Sequence, residues 1–210
     1  MLDSIGQSIS LPGLLFLTVI ISLSGILMPG PVFTVTVAKG HQNKYAGAFI
    51  AMGHGLVELP LMALIYLGFV QFITGAGFRR GIAFFGGAAL LYLGYMLYGT
   101  RKRVLEKGQE VSYGAFAAGA ITTWANPYFF IWWATIGAAL IMSASFYGFI
   151  GFLLFAFVHW MCDFIWGLVV SWTVFKSKKF WTPRIHEIVF GGCGLLLTVF
   201  GGWFIYYSFA

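Results

Sequence analysis

Six long apolar runs separated by short polar gaps take up most of this 210-residue chain: Leu11 to Ala38, Tyr45 to Phe72, Ile82 to Gly99, Tyr113 to Met142, Tyr147 to Phe175 and Glu187 to Tyr207. A bilayer crossing needs about 20 apolar residues in a helix, which satisfies its own backbone polar groups where no water can. The pattern therefore predicts an all-α polytopic membrane protein with six transmembrane helices. Only 9% of the residues are charged, against about 25% in a soluble domain. The 28 glycines suit membrane helices that approach closely. Six spans leave little chain over, so residues 1–210 read as a single transmembrane domain.

Several function classes fall away. No P-loop or Rossmann fingerprint is present, and neither H-E-x-x-H nor G-x-S-x-G occurs, so an enzyme is not expected. The net charge of +6 is scattered through the gaps and forms no continuous basic patch, which argues against nucleic acid. Cys162 and Cys193 lie inside apolar runs, where cysteine behaves as a small hydrophobe. Met1 to Ser10 carries Asp3 and no basic residue, unlike a cleaved signal peptide, so the first helix is expected to be retained.

The odd-numbered gaps hold ten of the twelve Lys and Arg residues and the even-numbered gaps two, Arg79 and Arg80. Because basic loops stay cytoplasmic, both termini are expected outside the cytoplasm.

Two three-helix halves, about 11–99 and 113–207, share landmarks on either side of the loop from Arg101 to Glu110. The first helix of each carries a proline break, Pro29-Gly30-Pro31 and Asn126-Pro127, and the second carries a His-x-x-x-acid pair, His54 with Glu58 and His159 with Asp163. An odd number of spans per half makes these inverted repeats, a design in which transporters bind substrate near the midplane between broken helices. Proline removes a backbone donor and disturbs the residue before it, so helices 1 and 4 are expected to be broken there. The freed backbone groups would then serve as ligand groups lining a cavity. A packing kink is the plainer reading of either break; two breaks in corresponding helices favour the functional one.

Glu58 and Asp163 alone among the six acidic residues lie deep in apolar runs, and no span offers a Lys or Arg to neutralise them. Gly47, Ala51, His54, Gly55 and Glu58 share one helical stripe, which places the pair towards the bundle. An intramembrane carboxyl costs about 3 kcal/mol on insertion scales; one that changes protonation as it is wetted and dried suits proton coupling. Simple hydrogen bonding between helices is the bland alternative. For Trp124, Trp132, Trp133, Trp160 and Trp166, packing or interface anchoring is favoured over ligand stacking.

Several stretches together resemble the lysine exporter (LysE/RhtB) family of inner-membrane efflux proteins. SGILMPGP from Ser24 to Pro31, followed by KGHQNKYAG, resembles its first-helix Pro-Gly-Pro signature and basic turn. GGAALLYLGYMLYG from Gly86 to Gly99 resembles its third helix, and YGAFAAGAITTWANPYFF from Tyr113 to Phe130 its fourth. The resemblance implies proton-driven export of amino acids or related small metabolites from an inner-membrane site without a bound cofactor. It assigns signature roles to Pro29, Gly30, Pro31, Asn126 and Pro127, and places Glu58 and Asp163 where relatives carry acidic groups. Tyr128 stands where the family often has lysine, which removes an anion partner near the break.

The expected site thus comprises Glu58 and Asp163 for proton coupling, and Pro29, Gly30, Pro31, Asn126, Pro127, His54 and His159 for substrate. The expected partners are a small-molecule substrate, protons and the lipid bilayer; the glycine-rich surfaces also permit a homodimer. Two histidines and two carboxylates are equally a ligand set for a divalent metal ion, which leaves metal transport as the alternative. The charge asymmetry makes a direct prediction: cysteines placed between Arg101 and Lys107 stay unlabelled by impermeant thiol reagents in intact cells and react once the membrane is opened.

Overall fold

The computed structural model describes residues 9–27, 30–69, 76–100, 114–180 and 182–209, and among them every regular element is helical. Four helical stretches are long and apolar enough to cross a membrane, Ala46–Tyr66, Pro127–Ser145, Gly148–Phe180 and Pro183–Phe209, and a shorter apolar one runs over Leu11–Leu23.

The first apolar run divides. Helix α1 (Leu11–Ile26) starts at Ser10, whose side chain accepts a hydrogen bond from the Gly13 amide, and it ends at Leu27. The chain is extended at Gly30 and re-enters a helix at Pro31, the first residue of α2 (Pro31–Gly40). Proline fits this position because the first amide of a helix has no intrahelical acceptor. Pro29 lies outside the described residues.

The fourth run divides in the same manner. Helix α5 (Ala115–Trp124) stops at Ala125, Asn126 is extended with φ −105° and ψ 98°, and α6 (Pro127–Trp132) begins at the proline. The Asn126 side chain accepts from the Tyr128 amide and so caps the new helix. A π-helical turn (Trp133–Gly137) then leads into α7 (Ala138–Ser145). A Cβ at Gly137 would collide with the Trp133 ring, so the glycine leaves room for that side chain.

The remaining runs are continuous: α3 (Ala46–Tyr66), α4 (Ala76–Thr100), α8 (Gly148–Ser177) and α9 (Pro183–Phe209). Pro60 lies inside α3 without interrupting it. Helix α4 starts six residues before the expected Ile82, so Arg79 and Arg80 belong to its first turns and not to a polar gap. The basic stretch from Arg101 to Glu110 lies outside the described residues.

Glycine sets the helix crossings. Gly87 lies against Gly201 and Gly94 against Gly194, so α4 and α9 run antiparallel with their backbones in direct approach. Gly47 meets the Gly167 carbonyl, which brings α3 onto α8. Gly53 meets the Phe116 carbonyl and Gly119 that of Ile50, which brings α3 onto α5. Such contacts replace the missing hydrophobic drive between helices in lipid with close packing. Phe85, Tyr95, Leu195 and Tyr206 are exposed on the outside of the bundle, as lipid-facing positions are. Leu14, Met62, Ile141, Trp133 and Phe155 form the main buried cluster.

A Cβ at Gly94 would sit 2.8 Å from the Gly194 carbonyl oxygen and 2.9 Å from the Thr198 amide nitrogen, whereas one at Gly202 meets nothing within 4 Å. Gly94→Val is therefore expected to lower stability by at least about 1–3 kcal/mol. Gly202→Ala is expected to be neutral or to stabilise by about 0.5–1 kcal/mol. Thermal unfolding in detergent distinguishes the two.

Candidate functional site

Where α3 and α8 cross, the side chains pair in antiparallel order. His54 comes opposite Asp163 and Glu58 opposite His159, so each histidine reaches the acid of the other helix as well as its own. His54 Nε2 is 2.9 Å from Glu58 Oε1, and His159 Nε2 is 3.3 Å from the same oxygen. Asp163 stands further off, 3.7 Å from His159 Nε2 and 4.0 Å from His54 Nε2. The predicted stripe on α3 holds: Gly47, Ala51, His54, Gly55 and Glu58 are all buried, with Glu58 only 1% exposed.

The broken helices complete the arrangement. Ser22 of α1 lies 2.7 Å from His159 Nδ1, and Thr123 of α5 lies 2.8 Å from His54 Nδ1. Ser22 sits one to two turns ahead of its break and Thr123 within a turn of its own, and each reaches a histidine of the other half of the chain. Ser22 Oγ also donates to the Thr18 carbonyl at 2.6 Å, and Thr123 Oγ1 to the Gly119 carbonyl at 2.7 Å.

A hydroxyl has a single hydrogen, and a carbonyl can only accept. Where each hydroxyl keeps its bond to the carbonyl it accepts from the histidine, and the proton of that ring then sits on Nδ1. The two Nε2 atoms are left facing one carboxyl oxygen. With a bare Nε2 on each ring and an ionised Glu58, lone pairs would face lone pairs, so these two short contacts call for at least one proton between ring and carboxyl. A second proton lets both Nε2–H groups donate to Glu58 Oε1.

Aromatic rings enclose this junction. The His159 ring lies between Trp132 at 5.3 Å, Trp133 at 5.0 Å and Phe155 at 6.0 Å between centroids, and Phe129 stands edge-on to His54 at 5.5 Å. The quartet opens on a cavity of about 150 Å³ lined also by Gly30, Pro31, Asn126, Tyr128 and Trp166. Two of its carboxyl oxygens, Glu58 Oε2 and Asp163 Oδ2, are buried without a hydrogen-bond partner, as is Trp166 Nε1.

Of the residues expected from sequence, His54, Glu58, His159, Asp163, Gly30, Pro31 and Asn126 meet at this cavity. Pro127 is buried at the start of α6 but does not line it. Pro29 cannot be placed, being outside the described residues. Trp132 and Trp133 belong to the main buried cluster and Trp166 packs against a second one, in keeping with the packing role favoured for them, and all three also line the cavity. Trp160 keeps such a role, since its Nε1 donates to the Ala51 carbonyl at 3.1 Å, and Trp124 is half exposed.

Ser22 and Thr123 were not singled out from sequence. The available signal was a hydroxyl shortly before each break, but Thr18, Thr122 and Thr135, which donate to the carbonyl four residues back, share that apolar setting. Removing the Ser22 hydroxyl strands a buried Nδ1–H, so Ser22→Ala is expected to cost about 1–3 kcal/mol. Its neighbour Thr18→Ala, which touches no histidine, is expected to cost less; the comparison is read from thermal unfolding.

The model of the LysE type translocator family matches residues 23–208. The chain is also 26% identical to the chemotactic transduction protein ChpE of Pseudomonas aeruginosa, an alignment covering 83% of this chain and 88% of that one. No solved structure matches. The family match takes in both helix breaks, both His–acid pairs and the α4–α9 crossing, and the chain belongs to the LysE type translocator family of multi-pass membrane transporters.

Proposed function

We propose that this protein is a proton-coupled secondary transporter that exports amino acids or related small metabolites across the inner membrane by alternating access. It is read as one domain of six spans in two inverted three-helix repeats, about 11–99 and 113–207, with both termini outside the cytoplasm. The observation that carries the reading is the meeting of His54, Glu58, His159 and Asp163 in antiparallel register beside a cavity. An inverted repeat produces such a crossing, because its second helices run in opposite directions. The exchange of hydroxyl contacts between halves, Ser22 to His159 and Thr123 to His54, supports the same symmetry.

In this reading Glu58 and Asp163 carry protons, and the histidines relay them between the two carboxyls. Substrate occupies the cavity next to the helix breaks at Gly30-Pro31 and Asn126-Pro127. A bundle that opens to one side at a time wets the quartet from alternate faces, so protons load from one aqueous phase and leave to the other. Outward-facing Gly192 on α9, with open space where a Cβ would lie, marks a face on which a second copy would pack.

His54, Glu58 and Asp163 present atoms within 4.8 Å of one another, a spacing that a divalent ion also uses. The pattern here fits protons better. Two ligands of a tetrahedral zinc ion, each about 2.0–2.1 Å from it, sit about 3.4 Å apart, whereas His54 Nε2 and Glu58 Oε1 are 2.9 Å apart, a hydrogen-bond distance.

The test is flux in proteoliposomes carrying an imposed pH gradient, with a panel of labelled amino acids and divalent metals. Wild type is expected to move at least one amino acid or close derivative against its gradient. The Glu58→Gln, Asp163→Asn double variant is expected to fall to the level of protein-free vesicles. Gradient-driven flux that survives in the double variant would remove the coupling role.

A further inference from the structure

We propose that the wall of the cavity formed by Phe33, Trp166, Val170, Phe200 and Phe204 is a subsite for a hydrocarbon side chain, so that the cargo is a small zwitterion whose side chain is apolar and uncharged. This rests on the transporter reading above and adds to it the substrate class and the residues that select it.

The cavity lies between two buried clusters. Phe129, Trp132 and Trp133 belong to the first, and their rings surround the histidines. Val170 and Phe204 belong to the second, against which Phe33, Trp166 and Phe200 pack, and all five line the cavity. Phe200 and Phe204 stand on successive turns of α9, with ring centroids 6.1 Å apart, and are what α9 contributes to the lining.

Helix periodicity orders the two ends. On α8 the lining runs through His159, Asp163, Trp166 and Val170, one stripe that passes from the quartet to the apolar wall. Val170 lies about 10 Å along the axis from Asp163, at 1.5 Å for each residue. Helix α3 runs the other way, and its lining passes from Glu58 and His54 to Ala51, Ile50 and Gly47, where Gly47 meets Gly167. The cavity is thus polar at one end and hydrocarbon at the other.

The apolar end rejects polar side chains. It carries no charge, and its only polar side-chain atom, Trp166 Nε1, is buried. Thr36, one turn from Phe33 on α2, gives its hydrogen to the Val32 carbonyl at 2.8 Å. A charged or amide side chain placed there would lose water without gaining partners, which is costly. A hydrocarbon chain gains instead: each methylene that the wall takes from water is worth about fourfold in affinity. The zwitterionic head stays at the quartet, where both signs are on offer, since the side chains of His54 and Asp163 line the cavity and are 11% and 13% exposed. The volume of about 150 Å³ is well below the roughly 300–1,000 Å³ of sites for drug-sized ligands, which limits the cargo to one small molecule.

The probes are alanine, 2-aminobutyrate and norvaline, which lengthen the side chain one methylene at a time, with leucine and asparagine, which are close in shape and differ in polarity. The half-saturating concentration for pH-gradient-driven flux of each is measured in proteoliposomes. It is expected to fall about fourfold with each methylene, about sixteenfold from alanine to norvaline, and to be at least about tenfold lower for leucine than for asparagine. In Phe200→Ala, and separately in Phe33→Ala, the alanine-to-norvaline ratio is expected to drop to about fourfold or less; a ratio taken within one protein does not depend on how much of the variant folds. Norvaline no better than alanine, asparagine as good as leucine, or a ratio unchanged in both variants would each overturn the subsite, and the flux itself would leave the transporter reading standing. Absence of flux for all five probes, with flux of another amino acid intact, would overturn the subsite alone. Absence of gradient-driven flux for every amino acid would remove the transporter reading with it.

Discussion

Two carboxyl groups inside a bundle of apolar helices, with no lysine or arginine lining the cavity beside them, have only the two histidines to meet their charge among the basic residues of that lining. The organisation of the centre follows from that requirement. Placing an unpaired charge there would cost several kcal/mol, so Glu58 is held between two imidazoles and Asp163 within 4.0 Å of both. The histidines are in turn held by Ser22 and Thr123, each already committed to a backbone carbonyl. The chain of commitments runs from helix backbone to hydroxyl to imidazole to carboxyl, and it ends on the two Nε2 atoms that face Glu58 and Asp163.

That centre exists only because α3 and α8 pass close enough for short side chains to meet. A Cβ on Gly47 would overlap the Gly167 carbonyl, and one on Gly55 would overlap the Trp160 indole. The stripe of small residues on α3 thus serves the chemistry as well as the packing: the same face that admits the neighbouring backbone presents His54 and Glu58. The helix breaks serve it too. By ending at Leu27 and at Ala125, α1 and α5 leave Gly30 and Asn126 as cavity lining in place of a continuing helix.

Much of this was legible in the sequence. The apolar runs, the paired prolines and the spacing of His54 with Glu58 and of His159 with Asp163 are local patterns, and local patterns survive folding. The breaks fell where glycine or asparagine precedes proline, since both are poor helix formers and yield to the extended backbone that proline favours in its neighbour. Pro60 shows the limit of that signal. It follows Leu59 within a strongly apolar stretch, and α3 continues through it, as membrane helices do when local adjustment re-satisfies the freed carbonyl. The crossed contacts were not legible, because Ser22 is 137 residues from His159 and Thr123 is 69 from His54. Nor was the aromatic enclosure: the π-helical turn rotates Trp133 onto His159, and periodicity does not reveal a turn of that kind.

The centre turns most directly on the protonation pattern of His54 and His159 within the bilayer. Solid-state NMR of histidine labelled with ¹³C and ¹⁵N, in lipid and with His41 and His186 replaced, reads both rings at once. Wild type is predicted to show Nδ1–H on both, with at least one Nε2 sharing a proton with Glu58, and Glu58→Gln is predicted to alter both Nε2 signals together. Rings with a bare Nδ1, or an Nε2 signal on His159 that ignores the change at Glu58, would contradict the shared proton site.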